Sequence, residues 1–477
     1  MSATVEKEYY PFRGQSLSMN RAIENTVVLL VISLVVGFAS AALAQETMPL
    51  TLHEALVRAL EHNESFLIAQ EERSRADAQV AQARAEALPT LRFFGDYTRN
   101  FEQSKMPLII KDESGATLDR WWITMGAENT SNWGFTATQT LWQGGRVFAA
   151  WAAARLYSRY VDQVRRQAWL DLQQSVSVAY FDALLAEQQV DVARRSLALA
   201  IETRDVVQKK YEQGQISEYD LLRAEVQVAN IRPQVLQAEN GRELSLTNLR
   251  NLLGVDAGVP LLLNASSPDS AAWETESLEE LITRARIARP EPQQAELEVG
   301  MREKAVSVAQ ADHHPSLDLS GNYMVSAYQE KLGFGHWQRT PSWSATLTLS
   351  IPIFEGWRIS SGVKQAKVDL AQARLRERSV NKLISLDVEN ARNSFLEAQE
   401  RLGSQVETVH QAERGYEIAK LRYQEGVGTQ LEVTDALVAM TTAQLNKSNA
   451  LRDYLVARTN LRRAVGEPVL DTLADFR

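Results

Sequence analysis

The chain alternates between long stretches of helical hydrophobic periodicity and short stretches in which every second residue is apolar. The first helical stretch runs from Leu52 to Ala87 and ends before Pro89, because proline has no backbone N–H to donate. A much longer stretch runs from Val147 to Gln213 and contains neither proline nor glycine. At about 1.5 Å per residue it predicts a helix of roughly 100 Å. Its seam follows a heptad rich in alanine, which lets helices approach closely: Leu172, Val176, Ala179, Ala183, Ala186, Val190, Ala193, Leu197, Ala200, Val207 and Tyr211.

Four shorter segments carry the alternating pattern of a strand with one apolar face. They lie near residues 90–100, 132–142, 316–326 and 343–353. The connection over residues 101–131 is long for a hairpin, so we expect it to form an exposed loop. Each strand presents an apolar face that must be covered by lipid or by other protein.

The second half of the chain repeats the first. The helical pattern that begins at Leu52 begins again at Leu278, an offset of 226, and the segment ending at Arg146 is matched by one ending at Arg358, an offset of 212. The two offsets differ because the connection between the first two strands is longer than its counterpart in the second half. We therefore predict one duplicated unit rather than unrelated domains. The predicted repeats span residues 45–265 and 266–477, with an irregular linker at 254–275.

Each very long helical stretch ends in a turn of the same composition. Gly214 and Ser217 form the first turn, and Gly426 and Thr429 form the second, again at an offset of 212. The glycine can adopt a left-handed backbone at low steric cost, and the hydroxyl can cap the helix that follows. Both turns are therefore predicted to be tips of helical hairpins.

The N-terminus has the order of a secretory signal peptide. Arg21 precedes the apolar run Val27–Phe38, and the small residues of Ala42–Ala44 follow it. We predict a signal peptide at residues 1–44, with Met19 as a possible true start. After Gln45 no apolar stretch is long enough to cross a membrane as a helix, so a membrane role would have to use strands.

Composition narrows the function further. The net charge of −9 disfavours nucleic acid as a partner, because phosphate binding needs clustered Lys and Arg. The absence of cysteine removes disulfides and cysteine-based zinc sites. No nucleotide-binding or metalloprotease motif is present, and the adjacent His313 and His314 are typical of a polar loop beside a proline. We expect no enzyme activity, no cofactor and no metal site.

Strands from several chains would have to combine into one barrel if their apolar faces are to contact lipid. Four strands cannot close a barrel, for which about eight is the minimum. Three chains would supply twelve strands, enough for an outer membrane barrel with a water-filled bore, and their heptad helices would form a hollow coiled-coil cylinder. The predicted fold class is therefore mainly α with a transmembrane β-barrel continued by an α-helical barrel. The alternative is an exported coiled-coil structural protein of the envelope without a pore.

The sequence resembles the TolC family of bacterial outer membrane efflux and secretion channels. The segments that carry the resemblance are Leu88–Leu91 and His314–Leu317 before the strand pairs, Leu349–Arg358 after the second pair, and the two tips. The resemblance implies a homotrimer in outer membrane lipid that extends into the periplasm. It also implies a periplasmic adaptor protein and an inner-membrane RND or ABC transporter as partners, in a tripartite efflux or type I secretion system.

The resemblance also implies roles for the residues at the tips. Three chains would place Glu432 and Asp435 in two rings of carboxylates, which attract cations. Some relatives carry an arginine where this chain has Gly428, so the closed state here is expected either to be held more weakly or to be held by Tyr423 and hydrogen bonds instead. The residues matching the pore entrance are Asp220, Tyr423, Glu432 and Asp435; those matching the adaptor-binding tips are Lys210, Gly214, Ile216, Ser217, Arg422, Gly426, Val427 and Thr429.

Overall fold

The computed structural model describes residues 48–111, 117–256, 258–264, 276–330 and 338–469, and the predicted signal peptide lies outside these ranges. The helices are α1 (Leu52–His62), α2 (Glu64–Ala85), α3 (Arg146–Glu212), α4 (Glu218–Leu252), α5 (Leu278–Ala288), α6 (Pro290–Ala311), α7 (Arg358–Gln424) and α8 (Gln430–Val465). The strands are β1 (Met48–Leu50), β2 (Thr90–Arg99), β3 (Ser104–Lys111), β4 (Thr117–Met125), β5 (Asn129–Gln143), β6 (Leu261–Leu263), β7 (Ser316–Gln329) and β8 (Gln338–Ser350).

The duplicated unit is visible in the helix lengths. Helices α1 and α5 both have 11 residues, α2 and α6 both have 22, and α3 and α7 both have 67. The returning helices α4 and α8 have 35 and 36 residues. The starts of α1 and α5 are related by the larger of the two sequence offsets, and the starts of α3 and α7 by the smaller. No helix in the described part of the chain is both long and apolar enough to cross a membrane.

The first helical stretch is two helices, and the prediction of one helix over residues 52–87 is wrong. Asn63 leaves the helical conformation, with φ −71° and ψ 118°. Its N–H donates to the carbonyl oxygen of Ala59 at 2.8 Å, and its side-chain oxygen accepts from the N–H of Phe66 at 3.2 Å. Asparagine thereby ends one helix and caps the next. Hydrophobic periodicity continues across such a break and does not reveal it.

Four strands form one antiparallel sheet in the order β2–β5–β7–β8. Strands β5 and β7 each have two neighbours, whereas β2 and β8 are edges. The register aligns one aromatic residue from every strand in a row across the sheet: Phe93, Phe135, Tyr323 and Trp343. These four side chains are all exposed in the single chain.

The two faces of this sheet differ in chemistry. The apolar face is open, with Leu91 71% and Trp343 83% exposed. On the other face, polar side chains bond across strands: Thr136 donates to Asn322 at 3.1 Å, and Thr140 donates to Asp318 at 2.9 Å. Such alternation is what a barrel strand needs between lipid and an aqueous lumen.

The predicted loop at residues 101–131 is wrong for most of its length. Strands β3 and β4 pair there as an antiparallel hairpin, a separate two-stranded sheet. Its strands are apolar on both faces, with Ile109, Ile110, Trp121 and Trp122 exposed, so they lack the period of two that marks a half-buried strand.

Strand β8 ends at Ser350, before the predicted end at residue 353. The equivalent strand β5 continues to Gln143, which matches Glu355 at the offset of 212. Strand β5 is paired on both sides and β8 on one side only. The missing neighbour explains the shorter strand, because ladder hydrogen bonds define a strand.

A small parallel ladder lies beside the middle of α3. Strand β6 pairs with β1, so the predicted linker at residues 254–275 is not irregular throughout. The Tyr180 hydroxyl of α3 donates toward the carbonyl oxygens of Leu50 and Asn264, at 2.9 and 2.7 Å. Burial raises the pKa of Tyr180 to about 12, so the hydroxyl remains a donor. The contact ties the linker to the long helix.

The long helices organise the packing. Helix α3 contacts α2, α4, α6 and α8, and α7 contacts α6 and α8. One apolar cluster surrounds the β1–β6 ladder, a second joins α5 to α7 and α8, and a third lies beneath the two tips. The third cluster consists of Ala200, Val207, Ala224, Val228, Ile231, Tyr416, Ala419, Tyr423, Val433, Leu437 and Met440.

Candidate functional site

The two tips share one backbone geometry. Gly214 and Gly426 end α3 and α7 with φ of +73° and +77°. At the first tip the Gln215 N–H donates to the Lys210 carbonyl at 2.9 Å, and at the second the Val427 N–H donates to the Arg422 carbonyl at 3.0 Å. These bonds satisfy helix-terminal carbonyls in the way that requires a left-handed residue. The glycine spacing in the sequence therefore predicted the turns correctly.

Ser217 and Asp220 form a capping box at the start of α4. The Ser217 hydroxyl donates to the Asp220 carboxylate at 2.7 Å, and the Asp220 N–H donates to the Ser217 hydroxyl oxygen at 3.3 Å. Asp220, predicted to lie at the pore entrance, therefore has a structural contact inside its own tip. It also lies close enough to Tyr423 for its charge to affect that residue.

The second tip uses its acidic residue differently. Thr429 caps α8 by accepting from the Glu432 N–H at 3.3 Å. The Glu432 carboxylate does not complete a capping box but lies 3.5 Å from the Arg422 guanidinium. Asp435 is exposed one turn along α8. The predicted acidic pair is thus on the surface, with one member already facing a cation.

Tyr423 is the buried centre of the tips. It is 8% exposed, and its hydroxyl has no hydrogen-bond partner within the described residues. Lys210 crosses from α3, placing its Nζ 4.2 Å from the ring centroid and donating to the Tyr423 carbonyl at 2.9 Å. Burial raises the pKa of Tyr423, and the Asp220 carboxylate raises it further. The ring and hydroxyl therefore stay neutral beneath a lysine ammonium.

A second polar contact joins the same two helices farther from the tips. Lys420 of α7 meets Glu202 of α3 at 3.0 Å. The hydrogen bond to Glu202 is the main reason why the pKa of Lys420 is raised. Sequence reasoning did not find this pair, because it depends on the relative rotation of two helices that are far apart in the chain. Together with Lys210 it ties α3 to α7 near the tips.

The remaining predicted residues divide by exposure. Val427 is 70% exposed, whereas Ile216 packs partly against the apolar cluster beneath the tips. Gly428 fits closely, since a Cβ there would lie 3.0 Å from the Cβ of Arg422. A side chain at this position would therefore require Arg422 to shift by a few tenths of an ångström. Four predicted residues lie exposed on the turns: Gly214, Ser217, Gly426 and Thr429.

The structure thus brings two of the predicted residues, Lys210 and Tyr423, into direct contact, while Asp220 bonds to Ser217. It brings Arg422 and Glu432 together in a second contact. Within the described residues no group of three or more His, Asp or Glu side chains could hold a metal ion.

Comparison with known proteins places this architecture. The chain is 25% identical to the outer membrane protein TolC of Vibrio cholerae serotype O1, over 63% of this chain and 70% of that protein. It is 24% identical to nodulation protein T of Rhizobium leguminosarum bv. trifolii, over 82% and 80% of the two chains.

The crystal structure of the Campylobacter jejuni CmeC outer membrane channel has the same fold, with a TM-score of 0.72, 19% identity, and coverage of 89% of this chain and 88% of that one. The family described as outer membrane efflux protein matches two segments, residues 55–255 and 281–467. The chain therefore belongs to the outer membrane efflux protein family.

Proposed function

We propose that three copies of this chain form an outer membrane channel, the passive exit duct of a tripartite efflux or type I secretion system. The observation that carries the proposal is the four-stranded sheet, which has an open apolar face, a hydrogen-bonded polar face and two unpaired edges. Sheet edges of this kind are closed by pairing with another chain or by forming a barrel. A barrel of twelve strands satisfies both requirements.

The helices support the same arrangement. Helix α6 packs against both long helices, α3 and α7, whereas its counterpart α2 packs extensively against α3 alone. Likewise α8 packs against α7 and α3, whereas α4 packs against α3. Helices α2 and α4 thus lack the neighbour that their counterparts α6 and α8 have, and α7 lacks neighbours that its counterpart α3 has. Copies joined head to tail would supply these neighbours and close into a ring.

The ring would surround a conduit whose length is set by α3 and α7, roughly 100 Å each. Its entrance would lie at the tips, where three copies bring three Glu432 and three Asp435 carboxylates around one axis. Rings of carboxylates favour cations and bind divalent ions.

The exposed turn residues, with Val427 foremost, are the surface proposed for a periplasmic adaptor, which would connect the duct to an inner-membrane RND or ABC transporter.

Planar-bilayer recording tests the channel and its entrance together. Purified protein should give discrete, cation-preferring channels. The double variant Glu432→Ala, Asp435→Ala should lose most of the cation preference and the block by divalent ions, whereas Glu425→Ala, which removes an exposed carboxylate on the turn itself, should change both less.

One result would count against the channel, and another against the proposed role of the two carboxylates. A folded, membrane-inserted sample without conductance would favour the structural envelope protein without a pore. Channels whose selectivity is the same in the double variant would remove Glu432 and Asp435 from the entrance.

A further inference from the structure

One junction inside the chain shows how the two repeats meet where the helices join the strands. Arg146, the first residue of α3, forms an ion pair with Asp312 at the end of α6, at 2.8 Å. Beside it Gly144 lies against the same helix end, so closely that a Cβ would be 2.5 Å from the Ala311 carbonyl oxygen. A charge pair and a tight glycine contact thus join the start of the first long helix to the second repeat.

The chain contains a second set of the same positions, but they do not meet. The counterparts of Gly144 and Arg146 are Gly356 and Arg358, at the offset of 212. The counterpart of Asp312 is Glu86, at the offset of 226, and it carries the same negative charge. Gly356 has nothing within 4 Å of its Cβ position, and no ion pair joins exposed Glu86 to any described residue.

Strand β8, which leads to this second set of positions, ends earlier than its counterpart β5. Strand β5 pairs with β7 up to Gln143, directly before the glycine contact. In β8 pairing stops at Ser350, and the following Ile353 and Phe354 are 95% and 74% exposed. The position of Phe354 matches that of Trp142, which pairs with Leu317.

Helix α7, which follows the second set of positions, also lacks the contact that its counterpart α3 makes. Inside the chain, Leu156 of α3 lies against Gly300 of α6, with its Cδ1 3.3 Å from the glycine Cβ position. The counterparts are Val368 of α7, which is 49% exposed, and Ser74 of α2, which is also exposed. Strand, junction and helix therefore all lack a neighbour on the same side, and the first repeat has the matching surface free.

We propose that Arg358 of one copy forms an ion pair with Glu86 of the next copy, at a subunit junction that repeats the Arg146–Asp312 junction inside the chain. This inference rests on the proposed assembly of copies into a channel. It fixes the register of the strands between copies: the pairing of Thr136 with Asn322 becomes that of Thr348 with Asp96 of the next copy. It also fixes the occupant of the open edge as a second copy of this chain.

One local difference between the two junctions bears on the strength of the pair. In the single chain the Arg358 guanidinium binds Glu355, whose counterpart in the first repeat is the uncharged Gln143. A guanidinium has five N–H donors, enough to hold two carboxylates. Arg358 would therefore bridge Glu355 and Glu86 of the next copy, and it would be oriented before assembly by the first of them.

Disulfide trapping tests the register, and the natural chain has no cysteine to interfere. Opposed residues of an antiparallel pair lie about 4.5–5.5 Å apart, within reach of a disulfide. The double variant Thr348→Cys, Asp96→Cys should give covalent oligomers on a denaturing gel without reductant. The control Thr348→Cys, Arg92→Cys moves one cysteine four residues along β2 and should give none.

Charge reversal tests the ion pair. Glu86→Arg and Arg358→Glu should each lower the temperature at which the detergent-resistant oligomer dissociates, and the double reversal should restore most of the loss. Bilayer conductance of the same samples separates the two proposals. Conducting oligomers without the disulfide, or without restoration by the double reversal, would overturn the inference and leave the channel. Monomers without conductance would overturn both.

Discussion

At the scale of single residues, the tips show side chains whose contacts lie inside the chain. Lys210 is predicted from the resemblance to bind an adaptor, yet its ammonium is bound to the Tyr423 carbonyl and lies over the Tyr423 ring. The interaction crosses between the two repeats, from α3 to the end of α7. A change that releases Lys210 should therefore loosen the tips from each other before it affects the surface available to a partner.

We expect Lys210→Ala to raise the resting conductance of the channel and the rate of backbone hydrogen exchange in both tips. The variant loses a charged hydrogen bond and a cation–π contact, together worth about 1–3 kcal/mol. Lys209→Ala is the matched control, because Lys209 is the adjacent lysine and is exposed. Equal exchange rates and conductance in the two variants would show that Lys210 does not hold the tips.

These same residues show which features of the tips could be predicted from the sequence. The turns at Gly214 and Gly426 could be predicted, because a glycine after a helix and a hydroxyl three residues later have a local backbone purpose. The contacts of Lys210 with Tyr423 and of Lys420 with Glu202 could not, because each joins residues of different repeats and depends on helix rotation. Turns and caps can be predicted from neighbouring residues, whereas side-chain pairs between helices that are far apart in the sequence cannot.

At the scale of elements, lengths and offsets were predictable but ends were not always so. The 67-residue α3 lies within one residue of the predicted helix, since no proline or glycine interrupts it. The break at Asn63 was missed, because one capping side chain decides it while the apolar period continues. The end of β8 was missed for a different reason: it depends on a neighbour that the single chain does not contain.

The returning helices end in the same way in both repeats. Gly254 follows α4 with φ +61°, and Gly466 follows α8 with φ +83°. Each lies against the end of a short helix: a Cβ on Gly254 would be 2.6 Å from the His62 carbonyl oxygen, and one on Gly466 would be 2.9 Å from the Ala288 carbonyl carbon. Backbone thus packs on backbone at equivalent positions, where only glycine fits.

We expect the Gly254→Ala variant to unfold at a clearly lower temperature than the Gly145→Ala variant. Both residues are left-handed, so both variants lose about 1–2 kcal/mol to the backbone conformation. A side chain at Gly145 meets nothing within 4 Å, and its counterpart Trp357 already carries one at φ 65°. Only Gly254→Ala adds the collision with His62, worth a further ~1–3 kcal/mol.

Circular dichroism during heating provides the measurement for both glycine variants. Gly466→Ala should behave like Gly254→Ala, because its contact is equivalent. Identical unfolding temperatures for Gly254→Ala and Gly145→Ala would mean that the close approach to His62 is not tight in solution.

At the scale of the whole molecule, a charged network joins both repeats. Glu291 at the start of α6 binds Arg289 at 2.8 Å and Arg463 of α8 at 2.9 Å. Arg463 continues to Asp171 of α3 at 2.5 Å, and Arg289 to Asp387 of α7 at 3.3 Å. The network thus connects both long helices to the C-terminal end of α8. The equivalent hydrogen bond in the first repeat is made by a neutral residue. Arg289 donates to the Ala464 carbonyl, and its counterpart Asn63 donates to the Leu252 carbonyl.

The central carboxylate makes this junction sensitive to acid. Burial by itself would raise the pKa of Glu291, but the hydrogen bonds and charges of Arg289 and Arg463 outweigh it and lower the pKa to about 2. The pKa in the folded state thus lies below the ordinary value of 4.5. The resulting stabilisation is complete above about pH 4.5 and is lost as the pH falls toward 2. At 1.36 kcal/mol for each pKa unit it amounts to at most about 3 kcal/mol.

We therefore expect Glu291→Gln to unfold at a lower temperature than the natural chain at pH 7, and the difference to shrink steadily between pH 5 and pH 2. The difference shrinks because protonation turns Glu291 of the natural chain into a neutral group like glutamine, so that both proteins then leave Arg289 and Arg463 without their central anion. Glu279→Gln, at an exposed position of α5, should unfold with the natural chain at every pH. Melting curves across this pH range decide the matter: a difference that stays constant would mean that Glu291 stabilises the junction by its shape and hydrogen bonds and not by its charge.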